Sequence, residues 1–541
     1  MRTRKDLLRS LKNEEFDLLI IGGGVTGVGI ALDAASRGLK TALVEKEDFG
    51  SGTSSRSTKL IHGGLRYLQS FEFKLVREVG RERSLIHKLA PHLVIPEKML
   101  LPLTKKGKYG KLDSALGLWF YDQLAVVPKA DRRKMLSKQK ALKQEPLLSE
   151  KGLLGAGFYS EYRTDDARLT IEITKTAIQK GAICLNYCSM DEFVYENGIV
   201  CGIHSSDQID NDSFIVRAKY VVNAAGPWVD VIRKKDHPIS GKQLHLTKGV
   251  HIVVPHTKLP LKQSIYFDVP DGRMIFAIPR LKTTYIGTTD TDFNNTPDLV
   301  GVEQEDINYL ISAVNQVFPT HTLSAEDIVA SWAGLRPLIH EKGKSASEIS
   351  RKDEIFISPK QLISIAGGKL TGYRVMAKKT VDLIARKMQR ETNRKLPSCK
   401  TKNIPLTRNP FQNMKEVTDY ITEIENRLKE AVRDSSYYAQ YLVANYGSNS
   451  DEILSLMEKS TELSAQSLLM AEFDYCINNE LATNLTDFFD RRTGRIYFDT
   501  ESIIQSIGII SEHAKKEMGW TTSKTLSEQK KVLDRCISSN S

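Results

Sequence analysis

Three glycines, Gly22, Gly24 and Gly27, follow directly on an apolar run, and an acid, Glu45, stands 18 positions beyond the last of them. Residues of these types at this spacing suit a phosphate-rich nucleotide. Gly22 permits a tight turn, Gly24 lets the main chain approach a pyrophosphate, and Gly27 lets a helix close on a strand whose neighbouring helix N-terminus receives the anion. Glu45 is placed to accept from a ribose hydroxyl. The motif alone does not choose between a nicotinamide and a flavin dinucleotide. A second pair, Gly367 and Gly368, precedes Lys369, Leu370, Thr371 and a helical pattern. A helix N-terminus there would stabilise charge developing on a ring as it is reduced, which favours a flavin. His245, His251 and His256 fit no single strand face, and Cys184 and Cys188 have no histidine nearby, so no metal is assigned.

These residues need elements to hold them. Phe16 to Ile21 is a short buried-strand run, Thr26 to Arg37 a helix of small residues ended by Gly38, and Thr41 to Val44 a second strand: a βαβ unit. A helix is predicted from Phe73 to Leu89, another from Thr170 to Lys180, and a strand from Tyr220 to Val222 runs into Ala225 and Gly226. Between 250 and 290 strands follow one another without helices, with Pro270-Asp271-Gly272 as a hairpin turn. A further buried strand, Leu362 to Ala366, leads into a helix to about Met388. A polar linker then precedes a helix-rich stretch from 410 to 541. An antiparallel sheet set into a parallel α/β chain implies a second domain.

The chain of 541 residues is 40% hydrophobic and 26% charged, the composition of a folded protein with room for several domains. No apolar run is long enough to span a bilayer, which excludes a polytopic membrane protein. No apolar region follows the basic N-terminus, so secretion is not expected. Six scattered cysteines suit a reducing, cytoplasmic address. The formal net charge of +11 points to an anionic partner without naming it: nucleic acid, an acidic membrane or a phosphorylated substrate.

A set of segments carries a resemblance. GGGVTGVGIALDAASRGLKTALVEK (22–46), GTSSRSTKLIHGGLRYL (52–68), TDDARL (164–169), VVNAAGPWVD (221–230), LTKGVHIVVP (246–255), IGTTDT (286–291), SWAGLRPL (331–338) and IAGGKLTGYR (365–374) together resemble the FAD-dependent glycerol-3-phosphate dehydrogenases. The C-terminal part is similar more loosely, through LTDFFDRRT (485–493). The resemblance implies FAD as cofactor, glycerol 3-phosphate as substrate and a membrane quinone as electron acceptor. It also implies an α/β fold with a FAD-binding Rossmann-like (glycine-oxidase-like) domain, an antiparallel β substrate domain and a C-terminal helical domain.

Carried onto these positions, the cofactor-binding residues are Gly22, Gly24, Gly27, Glu45, Thr53, Ser54, Ser55, Thr58, His62, Gly63, Ala225, Gly226, Gly367, Gly368, Lys369, Leu370 and Thr371. The Ser/Thr loop is expected to wrap the pyrophosphate and ribityl chain. Arg66, Arg336 and Arg351, with Lys369, Tyr67 and Thr371, are expected to hold the substrate, because a guanidinium grips phosphate through two parallel bonds. His251, ahead of His62, is the expected proton acceptor, with Arg336 beside it. Trp228 is read as packing.

Along the chain the expected division is a FAD-binding domain in three pieces (1–97, 144–240 and 325–390), a basic membrane-facing cap (98–143), an antiparallel substrate domain (241–324) and a helical domain (400–541). In the cap, Lys105, Lys106, Lys108 and Lys111 precede Leu116 to Tyr121, which contains Trp119 and Phe120, and Arg132, Arg133, Lys134 and Lys138 follow. Such a stretch suits peripheral contact with an anionic membrane on its inner face. The oligomeric state is left open, a homodimer included. A glycerol-3-phosphate oxidase using oxygen would need the same residues. An FAD-dependent RNA-modifying or RNA-binding protein would need a basic stripe with exposed aromatics, which does not stand out, so no nucleic acid is expected.

Overall fold

The computed structural model describes residues 3–62, 73–105, 132–341 and 353–538. The strand Glu15–Ile21 is buried along nearly its whole length and pairs in parallel on both sides, with Thr41–Val44 and with Asp212–Asn223. Apolar residues on both faces of a strand suit this position, because helices cover a parallel sheet above and below. Ile183–Leu185 extends one side and Ile363–Ala366 the other, both in parallel, and Glu354–Ile357 closes the edge antiparallel. The hairpin Cys188–Glu196 and Ile199–Asp207 joins through Asp212–Asn223 to complete an eight-stranded sheet.

The helix Val25–Ser36 is buried almost all round. Its small residues allow this: it packs between the helices Asp166–Gln179 and Tyr373–Thr392. At Gly29 a methyl group would lie 2.9 Å from the Tyr373 ring, so only glycine admits that aromatic.

The second sheet is mixed and ten-stranded. Its order is Thr291–Phe293, Lys242–Pro255, Thr283–Gly287, Met274–Arg280, Ser264–Asp268, Ile95–Thr104, Leu153–Arg163 and Leu60–Ile61, with Ala330–Glu341 and Lys134–Ser137 paired at the sides. The turn at Pro270-Asp271-Gly272 joins an antiparallel hairpin, with the Val269 N–H donating to the Arg273 carbonyl. The sheet therefore draws on far more of the chain than 241–324. Residues 98–104, assigned from sequence to the basic cap, are instead part of the strand Ile95–Thr104, which contains Pro96 and Pro102. Its pairing with Ser264–Asp268 uses only Met99 and Leu100, so neither proline is asked for an N–H on that side.

Helices from Met414 to Ser538 form the C-terminal domain. Its core, which includes Leu442, Tyr446, Phe473, Phe488 and Phe489, merges with one face of the second sheet where Tyr497 and Phe498 meet Trp332 and Tyr285. Buried charges fasten the domain to the cofactor half. Arg168 donates from Nη1 and Nη2 to both oxygens of Glu480, at 2.6 and 2.9 Å, and Lys175 adds a bond at 3.0 Å.

Candidate functional site

A cavity of about 520 Å³ runs between the two sheets. At one end stand Gly22, Gly24 and Glu45, along its length Thr53, Ser54 and Thr58, and at the other end His62, His251, Arg336 and Lys369. Ala225, Gly226, Gly367, Gly368, Leu370 and Thr371 also line it.

The glycine turn is shaped by two different demands. Gly22 has φ +108° and its backbone lies against Ala224, and a methyl group on Gly27 would sit 1.9 Å from the Gly22 carbonyl oxygen. These two glycines are required by the protein's own packing. Gly24 is not: a methyl there would meet only the Ser54 hydroxyl, at 3.3 Å. What a side chain at Gly24 would fill is the space beside the helix N-terminus, the cradle a pyrophosphate needs. The Val25 N–H, first of the helix, donates to Ser54 Oγ at 3.0 Å, which ties the Ser/Thr loop to this cradle. The residues present therefore fit a dinucleotide cofactor.

Glu45 accepts from the Gly23 N–H at 2.6 Å and the Glu47 N–H at 2.9 Å. Burial nevertheless raises its carboxyl pKa above the usual range. Thr53 donates to the Leu335 carbonyl at 2.7 Å, fixing the loop against the second sheet. Ser55 does not reach the cavity. Its side chain is buried and its hydroxyl donates to the Gly52 carbonyl, so it shapes the loop rather than lining the site. Gly27, likewise away from the cavity, acts through helix packing.

At the far end, His251 is 2% exposed and stacks on Trp332, ring centres 4.8 Å apart. Its Nε2 lies 3.0 Å from Thr58 Oγ1. Burial, reinforced by Arg336 and Lys59, pushes its pKa down to about 3, so the ring is neutral at physiological pH. His62 faces the cavity, and the surrounding protein also lowers its pKa. Arg336 donates from Nη1 to Asp290 at 2.8 Å. Arg66, Tyr67, Gly63 and Arg351 lie outside the described residues, as does most of the basic segment, of which Lys105 is described with an N–H donated to Gly152.

Sequence reasoning passed over several lining residues. Thr288 and Asp290 stand in the IGTTDT segment, and Arg56 in the Ser/Thr loop, so the signal was present but no role was attached to it. Glu161 and Tyr159 come from a strand whose place in the second sheet was not foreseen, whereas Tyr266 and Phe276 lie on the expected hairpin without a role having been attached to them. Trp228 is more than packing: its indole crosses Gly52 at the cavity, and its Nε1 donates to Asp298 at 3.0 Å.

A mostly parallel sheet with a glycine turn faces a second sheet across a cavity that runs from that turn, an architecture suited to a dinucleotide-dependent oxidoreductase. The family model described as FAD dependent oxidoreductase matches residues 17–368, and that for the C-terminal domain of alpha-glycerophosphate oxidase matches residues 399–525. The aerobic glycerol-3-phosphate dehydrogenase of Bacillus subtilis is 48% identical over 502 residues, covering 92% of this chain and 90% of that protein. The enzyme of the same name from Staphylococcus haemolyticus is 46% identical over 526 residues, covering 96% and 94%. The solved glycerol-3-phosphate dehydrogenase of Bacillus halodurans, complexed with FAD, superposes with a TM-score of 0.84 at 39% identity and covers 99% of this chain and 98% of that one. Glycine oxidase from Geobacillus kaustophilus shares the fold, with a TM-score of 0.54 at 21% identity over 73% of this chain and all of that one. The chain belongs to the aerobic glycerol-3-phosphate dehydrogenase family, whose cofactor is FAD. No described helix is long and apolar enough to cross a membrane.

Proposed function

We propose that this protein oxidises the secondary hydroxyl of sn-glycerol 3-phosphate to the ketone of dihydroxyacetone phosphate and passes the electrons to a membrane quinone. The observation that carries this reading is the continuity of the cavity from the glycine turn at Gly22 to Arg336 and Lys369. A cofactor lying along it ends beside two cations suited to a phosphate dianion. FAD, when bound, supplies the two-electron oxidant that accepts the hydride.

The chain's own residues do the rest. Arg336, its plane set by Asp290, grips the phosphate through charge-assisted bonds, and Lys369 adds a point charge. Thr58 and His251 form a hydroxyl–imidazole pair at the cavity wall. His251 Nε2, the nitrogen that meets Thr58, takes the substrate's hydroxyl proton only where the phosphate dianion offsets Arg336, because burial and that cation otherwise hold the imidazolium pKa at about 3, far below an effective base. His62 stands nearby on the cavity wall as the second candidate, and His62→Asn beside His251→Asn separates the two by which variant loses the chemical step. The basic stretch around Lys105 is the proposed contact with an anionic membrane, where the quinone is dissolved.

The test is spectroscopic. Purified protein should be yellow, and glycerol 3-phosphate should bleach it without oxygen. Recovery of colour with a quinone analogue but only slowly with oxygen supports the dehydrogenase, and fast recovery with oxygen alone supports an oxidase. A protein that carries FAD and is not bleached by glycerol 3-phosphate would overturn the substrate assignment.

A further inference from the structure

The loop that carries Glu45 is held from a distance. Within residues 45–50, Glu45 accepts from the Gly23 N–H, the Gly50 N–H donates to the Gly23 carbonyl at 3.1 Å, and the Phe49 ring seats against Gly23. Since Gly23 lies between Gly22 and Gly24, this loop is the second wall of the dinucleotide site. Its midpoint, Asp48, points away from the cavity and is fully buried. There it meets two consecutive arginines of the C-terminal domain. Arg492 donates to both carboxylate oxygens, at 2.6 and 2.9 Å, and Arg491 Nε donates to Oδ2 at 2.6 Å. Asn186 Nδ2 adds a bond at 2.9 Å.

Consecutive residues of an α-helix point about 100° apart, so two adjacent arginines do not ordinarily reach one carboxylate. Here Asp487–Arg492 is a π-helical segment, a rare form that recurs at functional sites. The same segment makes a second tie. Asp487 accepts from the Tyr187 hydroxyl at 2.5 Å, and the backbone N–H groups of Tyr187 and Cys188 donate to the carbonyls of Glu47 and Glu45. Two routes thus run from one segment to one loop. The whole arrangement costs desolvation of several charges, and a buried ion cluster of this kind is weak evidence for stability alone.

We propose that the C-terminal domain governs retention of the cofactor, with Arg491, Arg492 and Asp487 acting as positioning residues for the loop that carries Glu45. The domain reaches the adenosine end of FAD without touching it, by fixing residues 45–50 against the glycine turn. The proposal rests on the assignment of FAD to the cavity.

The experiment measures FAD release from the full-length holoprotein, followed by the rise in flavin fluorescence on dilution. Three mild variants are compared with the parent: Tyr187→Phe, which removes one hydroxyl; Arg491→Lys, which keeps the charge; and Tyr441→Phe. The last removes a buried hydroxyl bonded to Glu472 at 2.6 Å, in the same domain but away from the loop. Neither residue touches FAD, so only part of the bonding lost on removing the Tyr187 hydroxyl, or on replacing the guanidinium that Arg491 shares among Asp48, Asp487 and Asp490, reaches the cofactor. Release should speed about three- to tenfold in Tyr187→Phe and Arg491→Lys, with Tyr441→Phe within about twofold of the parent. Unchanged release in the first two, or equal acceleration in all three, would overturn the proposal, the latter by showing general loosening. A parent that takes up no FAD would instead refute the cofactor assignment. Asp48→Asn is the severe variant. If it folds, it should be isolated largely without flavin and regain colour only at high FAD, and full occupancy would also overturn the proposal.

Discussion

Arg336 enters the cavity with one nitrogen already committed to Asp290. A carboxylate beside a phosphate-binding guanidinium weakens the net attraction but holds the planar fork in one orientation, which matters more for a bidentate ligand. Arg336→Ala should therefore raise KM for glycerol 3-phosphate by roughly ten- to a hundredfold, the worth of a charge-assisted bond, while FAD stays bound. Arg336→Lys should recover only part of this, since an ammonium has charge without the fork. Steady-state kinetics with flavin content measured in parallel checks both, and unchanged kinetics in Arg336→Ala would remove the residue from the site.

At the scale of elements, the strand–turn–helix unit from Glu15 to Ser36 separates packing from binding. Gly27→Ala forces a methyl group onto the Gly22 carbonyl, so the helix must move off the strand. Overpacking of this kind costs about 1–3 kcal/mol, and the unfolding temperature of the flavin-free protein should fall. Gly24→Val meets no such obstacle in the backbone. It should leave the flavin-free protein nearly as stable as the parent and yet be isolated with little flavin. Calorimetry of both variants without FAD, beside flavin absorbance, distinguishes the two kinds of glycine. This unit was legible in the sequence because its signals are local: an apolar run, a glycine turn, small residues and a terminal glycine. The strand Thr41–Val44 was read to the residue, and the helix that ends at Leu89 was read to its end, for the same reason. The strands Ile95–Thr104 and Leu153–Arg163 were not. Prolines and glycines interrupt them, and only pairing partners distant in sequence make them strands. Asp48 was equally silent. Its meaning lies in arginines more than four hundred residues away, which no local pattern can announce.

The molecule as a whole carries a titratable group at the junction of its halves. His92 is 1% exposed, lies beside Phe411 and Gly447 of the C-terminal part, and has a pKa lowered to about 3 by burial and by the charges of Arg168 and Lys175. In the unfolded chain a histidine titrates near 6.5. Between these values the unfolded state binds a proton that the folded state does not, so stability is complete above about pH 6.5 and declines as pH falls toward 3. Each such histidine contributes a slope of about 1.4 kcal/mol per pH unit in that window, and His251 adds a second. His92→Gln should flatten the loss of thermal stability between pH 6.5 and 5 by roughly one proton's worth. Coincident slopes for variant and parent would show that His92 titrates normally.

The cofactor sheet is stitched from distant parts of the chain: Glu15–Ile21 pairs with Asp212–Asn223, which in turn pairs with Ile363–Ala366. Its loop is pinned by Arg491 and Arg492. On a ribosome, the glycine turn emerges about 470 residues before the pinning arginines. At about 5–20 residues per second, on the order of tens of seconds separate the two. Until Asp212–Asn223 has been made, about 190 residues later, the apolar strand Glu15–Ile21 lacks a permanent neighbour on one side, a condition that invites chaperone binding and aggregation. If the arginine pair governs cofactor retention as proposed, stable loading waits until residues 491 and 492 have been made.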